Sequence, residues 1–182
     1  ISGGMLAPTE GSERDAWERR LFRGDYHLHP LIASERPKYA ALNIHRSADG
    51  AAEGYGCCYL VFKKGAGNRA TLTPEDSAGV SQFLVGTLHH IEHVLAERID
   101  LDALMRVGLG AVKRSEATYS YLEAQVHGPV EFSKDFDQLV MSTAFRGTPY
   151  EAKMRAFAAK HGLEVLWHDE AQVTTDDGKV VE

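Results

Sequence analysis

YSYLEAQVHG, residues 119–128, alternates without a break: Ser120, Leu122, Ala124 and Val126 fall on one side of an extended chain, and Tyr119, Tyr121, Glu123, Gln125 and His127 on the other. The stretch predicts a β-strand with one core face and one chemically rich face. A carboxylate, an amide and an imidazole in successive same-side positions offer one ligand an anion, a two-way hydrogen-bonding group and a titratable ring. An ordinary solvent-facing strand fits the alternation as well, and the pattern alone leaves both readings open.

The flanking sequence supplies further strands and several helices, so the expected class is α+β. Downstream, residues 133–142 predict a short helix with Phe136, Leu139 and Val140 facing in. Thr148-Pro-Tyr-Glu151 has the form of a capping box with proline at the first helical position, and Gly162 supplies a left-handed stop. Leu163 to His168 and Gln172 to Thr175 read as strands, with a tight turn at Asp177-Gly178. Upstream, Ser12 to Phe22 predicts an amphipathic helix whose apolar residues are Ala16, Trp17 and Leu21. Arg23 to Gly54 has no sustained period and reads as irregular. GCCYLVFK (56–63) and RATLT (69–73) predict a hairpin or consecutive strands. From Pro74 to Arg98 the residues Val80, Phe83, Leu84, Leu88, Ile91, Val94 and Leu95 recur at spacings of three and four, which predicts one long helix. A second helix is expected from near Asp100 to Gly108 or Gly110.

A chain of 182 residues with 43% hydrophobic content can bury one core, so a single domain over 1–182 is expected. The net charge of −6 argues against a nucleic-acid partner, which would demand a concentrated Lys/Arg surface. No apolar run reaches the roughly 20 residues that cross a bilayer. Ile1 to Pro8 lack a charged start followed by an apolar core, so no Sec-type export and no membrane association are expected. The two cysteines, Cys57 and Cys58, are adjacent, and adjacent cysteines rarely pair, which suits a reducing compartment.

Two other patterns could carry chemistry. His89-His-Ile-Glu-His93 matches the H-x-x-E-H spacing of one metalloprotease class. On a helix, however, His89 and His93 lie nearly opposite the apolar stripe, so a solvated histidine cluster is expected and no metal is assigned; a zinc hydrolase using His89, His90 and His93 stands as an alternative. SERPKYAALN (34–43), followed by GYGCC (54–58), places aromatic rings and glycines in an irregular stretch, which suits a site that stacks a planar ring beside a phosphate. A surface loop with a buried tyrosine accounts for it equally. A noncatalytic domain that binds another protein through its acidic surface is the remaining alternative.

Taken together, ERPKYAALN (35–43), YGCCYLV (55–61), RATLT (69–73) with Asp76-Ser77, and EAQVHGP (123–129) resemble the CteC-like family of bacterial effectors, which are ubiquitin threonine mono-ADP-ribosyltransferases. The resemblance spans roughly residues 12 to 148 and keeps the order of the blocks. It implies an ADP-ribosyltransferase-like pair of small packed β-sheets with flanking helices, with NAD as ADP-ribose donor in the cleft between the sheets. It also implies ubiquitin as protein substrate, and a toxin secreted by a bacterium without a Sec signal to act in host cytoplasm. Arg23, or His27 just beyond it, would stand for the early Arg or His of such enzymes, Thr71 and Thr73 for the Ser/Thr-rich strand, and Glu123-Ala-Gln125 for the strand that holds the catalytic carboxylate. Glutamine stands last where glutamate is usual, so either Glu123 or Gln125 could fill the essential place. The catalytic set implied is Glu123, Gln125 and His127, with His127 assisting deprotonation of the acceptor. The NAD-binding set is Arg23, Arg36, Tyr39, Asn43, Tyr55, Thr71 and Thr73, with Arg23 or Arg36 on the pyrophosphate and Tyr39 or Tyr55 stacked on a ring.

Overall fold

Ser12 begins the regular structure: its hydroxyl accepts the Asp15 N–H at 3.2 Å, and helix α1 runs over Glu13–Leu21. The computed structural model describes residues 10–28, 33–44, 47–80, 82–98 and 121–170. They belong to two compact units, residues 1–42 with 67–130 and residues 43–66 with 131–182. The helix expected from Asp100, the strand from Gln172 and the turn at Asp177-Gly178 lie outside the described residues, as do Tyr119 and Ser120.

In the first unit, α1 buries Asp15, Glu18 and Leu21, whereas Ala16 is exposed. The inward face is therefore acidic, which apolar spacing could not announce. The helix ends where Arg23 and Gly24 take left-handed backbone, φ 52° and 82°. Strand β1 (Lys38–Leu42) lies within the stretch expected to be irregular. It pairs antiparallel with β5 (Leu122–Val126), which pairs antiparallel on its other side with β3 (Ala70–Thr73), and β3 pairs with the two-residue β4 (Gly86–Thr87). Tyr39 and Thr71 both stand opposite Gln125, and Ala41 and Thr73 opposite Glu123, so these side chains share one face of the sheet. The other face carries Leu122, Ala124 and Val126 with Ala70 and Leu72. Leu72 and Leu122 are fully buried, each worth about 1.5–3 kcal/mol of apolar burial.

The single helix expected over residues 74–98 does not form. A short 3-10 turn (Gln82–Leu84), β4, a tight turn bridging Thr87 to His90, and helix α2 (Glu92–Arg98) take its place. Gly86 explains the break: a Cβ there would stand 2.7 Å from Val94 Cγ2 and 2.8 Å from the His90 carbonyl oxygen. The backbone of β4 thus packs directly under α2, and Val94 is completely buried. Gly86→Ala is expected to cost about 1–3 kcal/mol through overpacking, read as a lower thermal midpoint.

The second unit is a three-stranded sheet in the order β2 (Tyr59–Phe62), β6 (Phe136–Met141), β7 (Glu164–Trp167). β2 and β3 are consecutive strands in different sheets and form no hairpin. Where a helix was expected over 133–142, only one turn is helical, α3 (Phe132–Asp135), and β6 follows at once. As the central strand, β6 buries Phe136, Leu139, Val140 and Met141 on both faces, and no single helical stripe accounts for that set. β7 lies parallel to β6, the crossover being helix α4 (Pro149–His161). The expected capping box does not form: Glu151 accepts the N–H of Gly147, one residue before the N-cap, at 2.7 Å, and the Thr148 hydroxyl donates to Phe145 O, while Pro149 holds the first helical position as expected. Gly162, at φ 68°, closes it as expected. Both units together make the fold α+β with two small sheets and a few helices.

Candidate active site

The polar side chains of β5 are buried: Gln125 is 0% exposed and Glu123 5%. They therefore have to satisfy one another, and their bonds form one chain with a fixed direction. The Thr71 hydroxyl donates to Gln125 Oε1 at 2.8 Å and so must accept, at 2.9 Å, from His127 Nε2. With the proton on Nε2, the Nδ1 lone pair of neutral His127 accepts from the Tyr26 hydroxyl. At the other end the Gln125 amide donates to Thr73 Oγ1 and to Glu123 Oε1, both at 2.9 Å. Thr73 passes its own proton to Glu75 O at 2.8 Å. Every donor from Tyr26 to Thr73 has an acceptor, and the chain ends on the Glu123 carboxylate, which also accepts the Ser77 N–H at 3.3 Å.

Burial sets the charge states along this chain. It pushes the Glu123 carboxyl above its ordinary range, against the hydrogen bonds from Ser77 and Gln125 that favour the anion. It likewise holds His127 below the ordinary imidazole range, against the opposing charge of Glu18. Tyr26 is pushed up to about 12, by burial first and then by Glu18, so it stays a donor. Thr71→Val, which keeps the shape and removes the hydroxyl, strands His127 Nε2–H and Gln125 Oε1. A loss of about 1–3 kcal/mol in urea unfolding is expected.

A second layer, ionic, lies over this face. Arg36, 1% exposed, donates from Nη1 and Nη2 to Asp15 Oδ1 at 3.0 Å and from Nε to Glu18 Oε2. Glu18 Oε1 also accepts from Arg14 Nε at 2.8 Å and from the Tyr39 hydroxyl at 3.3 Å. His27 Nε2 stands 2.7 Å from Asp15 Oδ1. The Phe22 ring meets His127 edge-on at 5.1 Å and Tyr26 stacks on the same imidazole. α1 and the turn after it thus cover the polar strand face.

Of the residues singled out from sequence, Glu123, Gln125, His127, Thr71 and Thr73 come together in one network. Tyr39 and Arg36 lie in the ionic layer, with the Arg36 guanidinium wholly engaged by carboxylates. Arg23 is exposed beyond the end of α1, its guanidinium 5.9 Å from the Phe83 ring centroid. Asn43 and Tyr55 belong to the second unit. There Asn43 closes a turn through two bonds with Ser47, at 2.8 and 2.9 Å, and Tyr55 is 75% exposed. His89, His90 and His93 are exposed, and among the described residues no three His, Cys, Asp or Glu side chains gather as a metal site would require. Tyr26, Glu18, Asp15 and Ser77 are the members sequence reasoning missed. The spacing of Asp15, Glu18 and Leu21 on one helical stripe was the available signal, hidden because a periodicity search weighs apolar residues alone.

The chemistry this arrangement offers is that of one buried carboxylate, held by an amide and a backbone N–H, joined through hydroxyls to a neutral imidazole and a tyrosine. The sequence profile of a family described as Protein of unknown function (DUF3626) matches the chain over residues 1–118 and 109–180. No curated protein matches it at a significant level.

Proposed function

The chain belongs to the DUF3626 family, whose description assigns no chemistry, and from the site together with the family resemblance we infer an NAD-dependent mono-ADP-ribosyltransferase of the effector type, modifying ubiquitin on a threonine in a host cell. The observation that carries this reading is the Glu123-Ala-Gln125 strand, whose carboxylate and amide are hydrogen-bonded to each other and, through the amide, to Thr71 and Thr73 on the neighbouring strand. The family resemblance implies both elements, a Ser/Thr-rich strand and a strand that holds the carboxylate. Two small sheets with flanking helices are in keeping with the transferase-like fold.

Glycosidic cleavage of NAD sends the bonding pair to nicotinamide and leaves positive charge on the ribose. An anion fixed beside the anomeric carbon stabilises that charge. Glu123 is the group for this role, and Gln125 orients it. The acceptor threonine oxygen then forms the new bond to the anomeric carbon and gives up its proton to solvent. His127 has its Nδ1 lone pair engaged by Tyr26 and its Nε2–H by Thr71, so it orders the hydroxyls of this face rather than acting as a free base. Arg36 does not suit the pyrophosphate, being buried and neutralised, whereas Arg23 is exposed and does. Glu123 is closed off by the Ser77 segment, so binding of NAD entails displacement of that cover, as with lids that complete a site on substrate binding.

The test is incubation of the protein with NAD and ubiquitin, followed by intact-mass measurement. One ADP-ribose on a ubiquitin threonine, with equimolar nicotinamide released, is the expected result. Unmodified ubiquitin and intact NAD would remove the reading.

A further inference from the structure

Beside the covered strand, the end of α1 and the 3-10 turn at Gln82–Leu84 enclose an open groove of about 530 Å³ lined by Arg19, Arg20, Arg23, Gly24, Gln82 and Phe83. Among the described residues three guanidiniums and no carboxylate line it, in a chain whose net charge is −6. Their placement follows from local structure: Arg19 and Arg20 close the last turn of α1, and the left-handed backbone of Arg23 swings a third guanidinium to the same side. Little of this charge is neutralised. Arg20 donates to the Ser77 and Ala78 carbonyls, which orient it and carry no charge. Arg19 lies 3.8 Å from Asp15, a carboxylate already shared with Arg36 and His27. Arg23 lies over the ring of Phe83, which is 73% exposed.

Planar guanidiniums match phosphate oxygens two by two, and the exposed Phe83 ring at the rim, which Arg23 covers at 5.9 Å, can stack a planar base once that guanidinium turns to a phosphate. We propose that this groove binds the diphosphate of a nucleotide, with the base stacked on Phe83. The nucleotide-diphosphate assignment stands on the groove alone; its identity as NAD rests on the transferase reading. Ser77 joins the two places, since its carbonyl accepts from Arg20 while its N–H donates to Glu123. A diphosphate that draws Arg20 away from Ser77 and Ala78 would loosen the segment covering the carboxylate.

Calorimetric titration of the whole chain with ADP, AMP and inorganic pyrophosphate tests this. ADP is expected to bind more tightly than AMP. Arg23→Glu, at a solvent-facing position, is expected to weaken ADP and pyrophosphate at least tenfold. Phe83→Ala is expected to weaken ADP severalfold and leave pyrophosphate unchanged, and Glu123→Gln to retain ADP binding. No heat with millimolar ADP, or equal affinity in wild type and Arg23→Glu, would overturn the proposal. Equal loss of ADP and pyrophosphate in Phe83→Ala would overturn the stacking. If ADP binds as described and no ADP-ribose is transferred, the transferase reading fails alone; if transfer proceeds in Arg23→Glu with an unchanged KM for NAD, the groove fails alone.

Discussion

Arg36→Met is expected to bring the protein to the edge of unfolding at neutral pH. The guanidinium is the common partner of Asp15 and Glu18, two carboxylates 2% and 0% exposed, and its removal leaves both buried beside one another. Breaking a buried ion network from one side costs about 3–5 kcal/mol, against a typical total stability of about 5–15 kcal/mol. Lysine cannot substitute, because one ammonium does not present the forked donors that span two carboxylates. A urea midpoint unchanged in Arg36→Met would contradict this account, and adding Asp15→Asn and Glu18→Gln should recover part of the loss. The acid limb follows from the same contacts. Burial pushes the Asp15 carboxyl up, but the bonds from His27, Gly11 and Arg36 outweigh it and hold the group down to about 2. Its contribution is complete above the ordinary value of 3.8 and is lost as pH falls through about 2. Without Arg36 part of that lowering disappears, so acid unfolding followed by circular dichroism should set in at higher pH.

That layer marks the boundary of what the sequence discloses. The alternation of Leu122, Ala124 and Val126 with Glu123, Gln125 and His127 is period two whatever covers it, so the strand and its two faces are legible. The stop at Gly162 and the proline start at Pro149 are legible for a similar reason, being local backbone chemistry. What covers a face is a tertiary fact: the same Glu-Gln-His row could meet solvent, a ligand or, as here, a helix whose inward residues are acids. The stripe from Val80 to Leu95 misled because helical spacing does not encode the packing of Val94 on Gly86, which leaves no room for a Cβ there. β6 was misread because a central strand carries apolar residues on both faces and loses its alternation. β1, with Lys38 buried and three backbone carbonyls around its ammonium, has no alternation to detect.

Glu123→Gln should separate chemistry from stability. If the carboxylate stabilises the ribose cation, the neutral isostere loses about 10²–10³-fold in transfer rate or more, the cost of removing one group aimed at a developing charge. Stability moves the other way. Burial raises the folded-state pKa of Glu123, so its ionisation works against folding: the favourable contribution is complete below the ordinary value of 4.5 and is lost as pH rises through the raised value. The glutamine variant has no such loss, and its thermal midpoint should exceed wild type above that range and converge with it in acid. A lower midpoint at neutral pH would show that the anion is net stabilising and that the hydrogen bonds from Ser77 and Gln125 outweigh its burial. Gln125→Glu resolves the order of the Glu-Ala-Gln strand. The amide now donates to Glu123 at 2.9 Å, and a carboxylate in its place can only repel it, besides leaving Thr73 without that donor. Transfer should therefore fall in Gln125→Glu even though glutamate is the residue usual at that position in the transferases that the sequence resembles. Activity retained by Gln125→Glu but lost in Glu123→Gln would place the essential charge at Glu123 and reduce Gln125 to a spacer; activity retained in both would move the chemistry off this strand altogether.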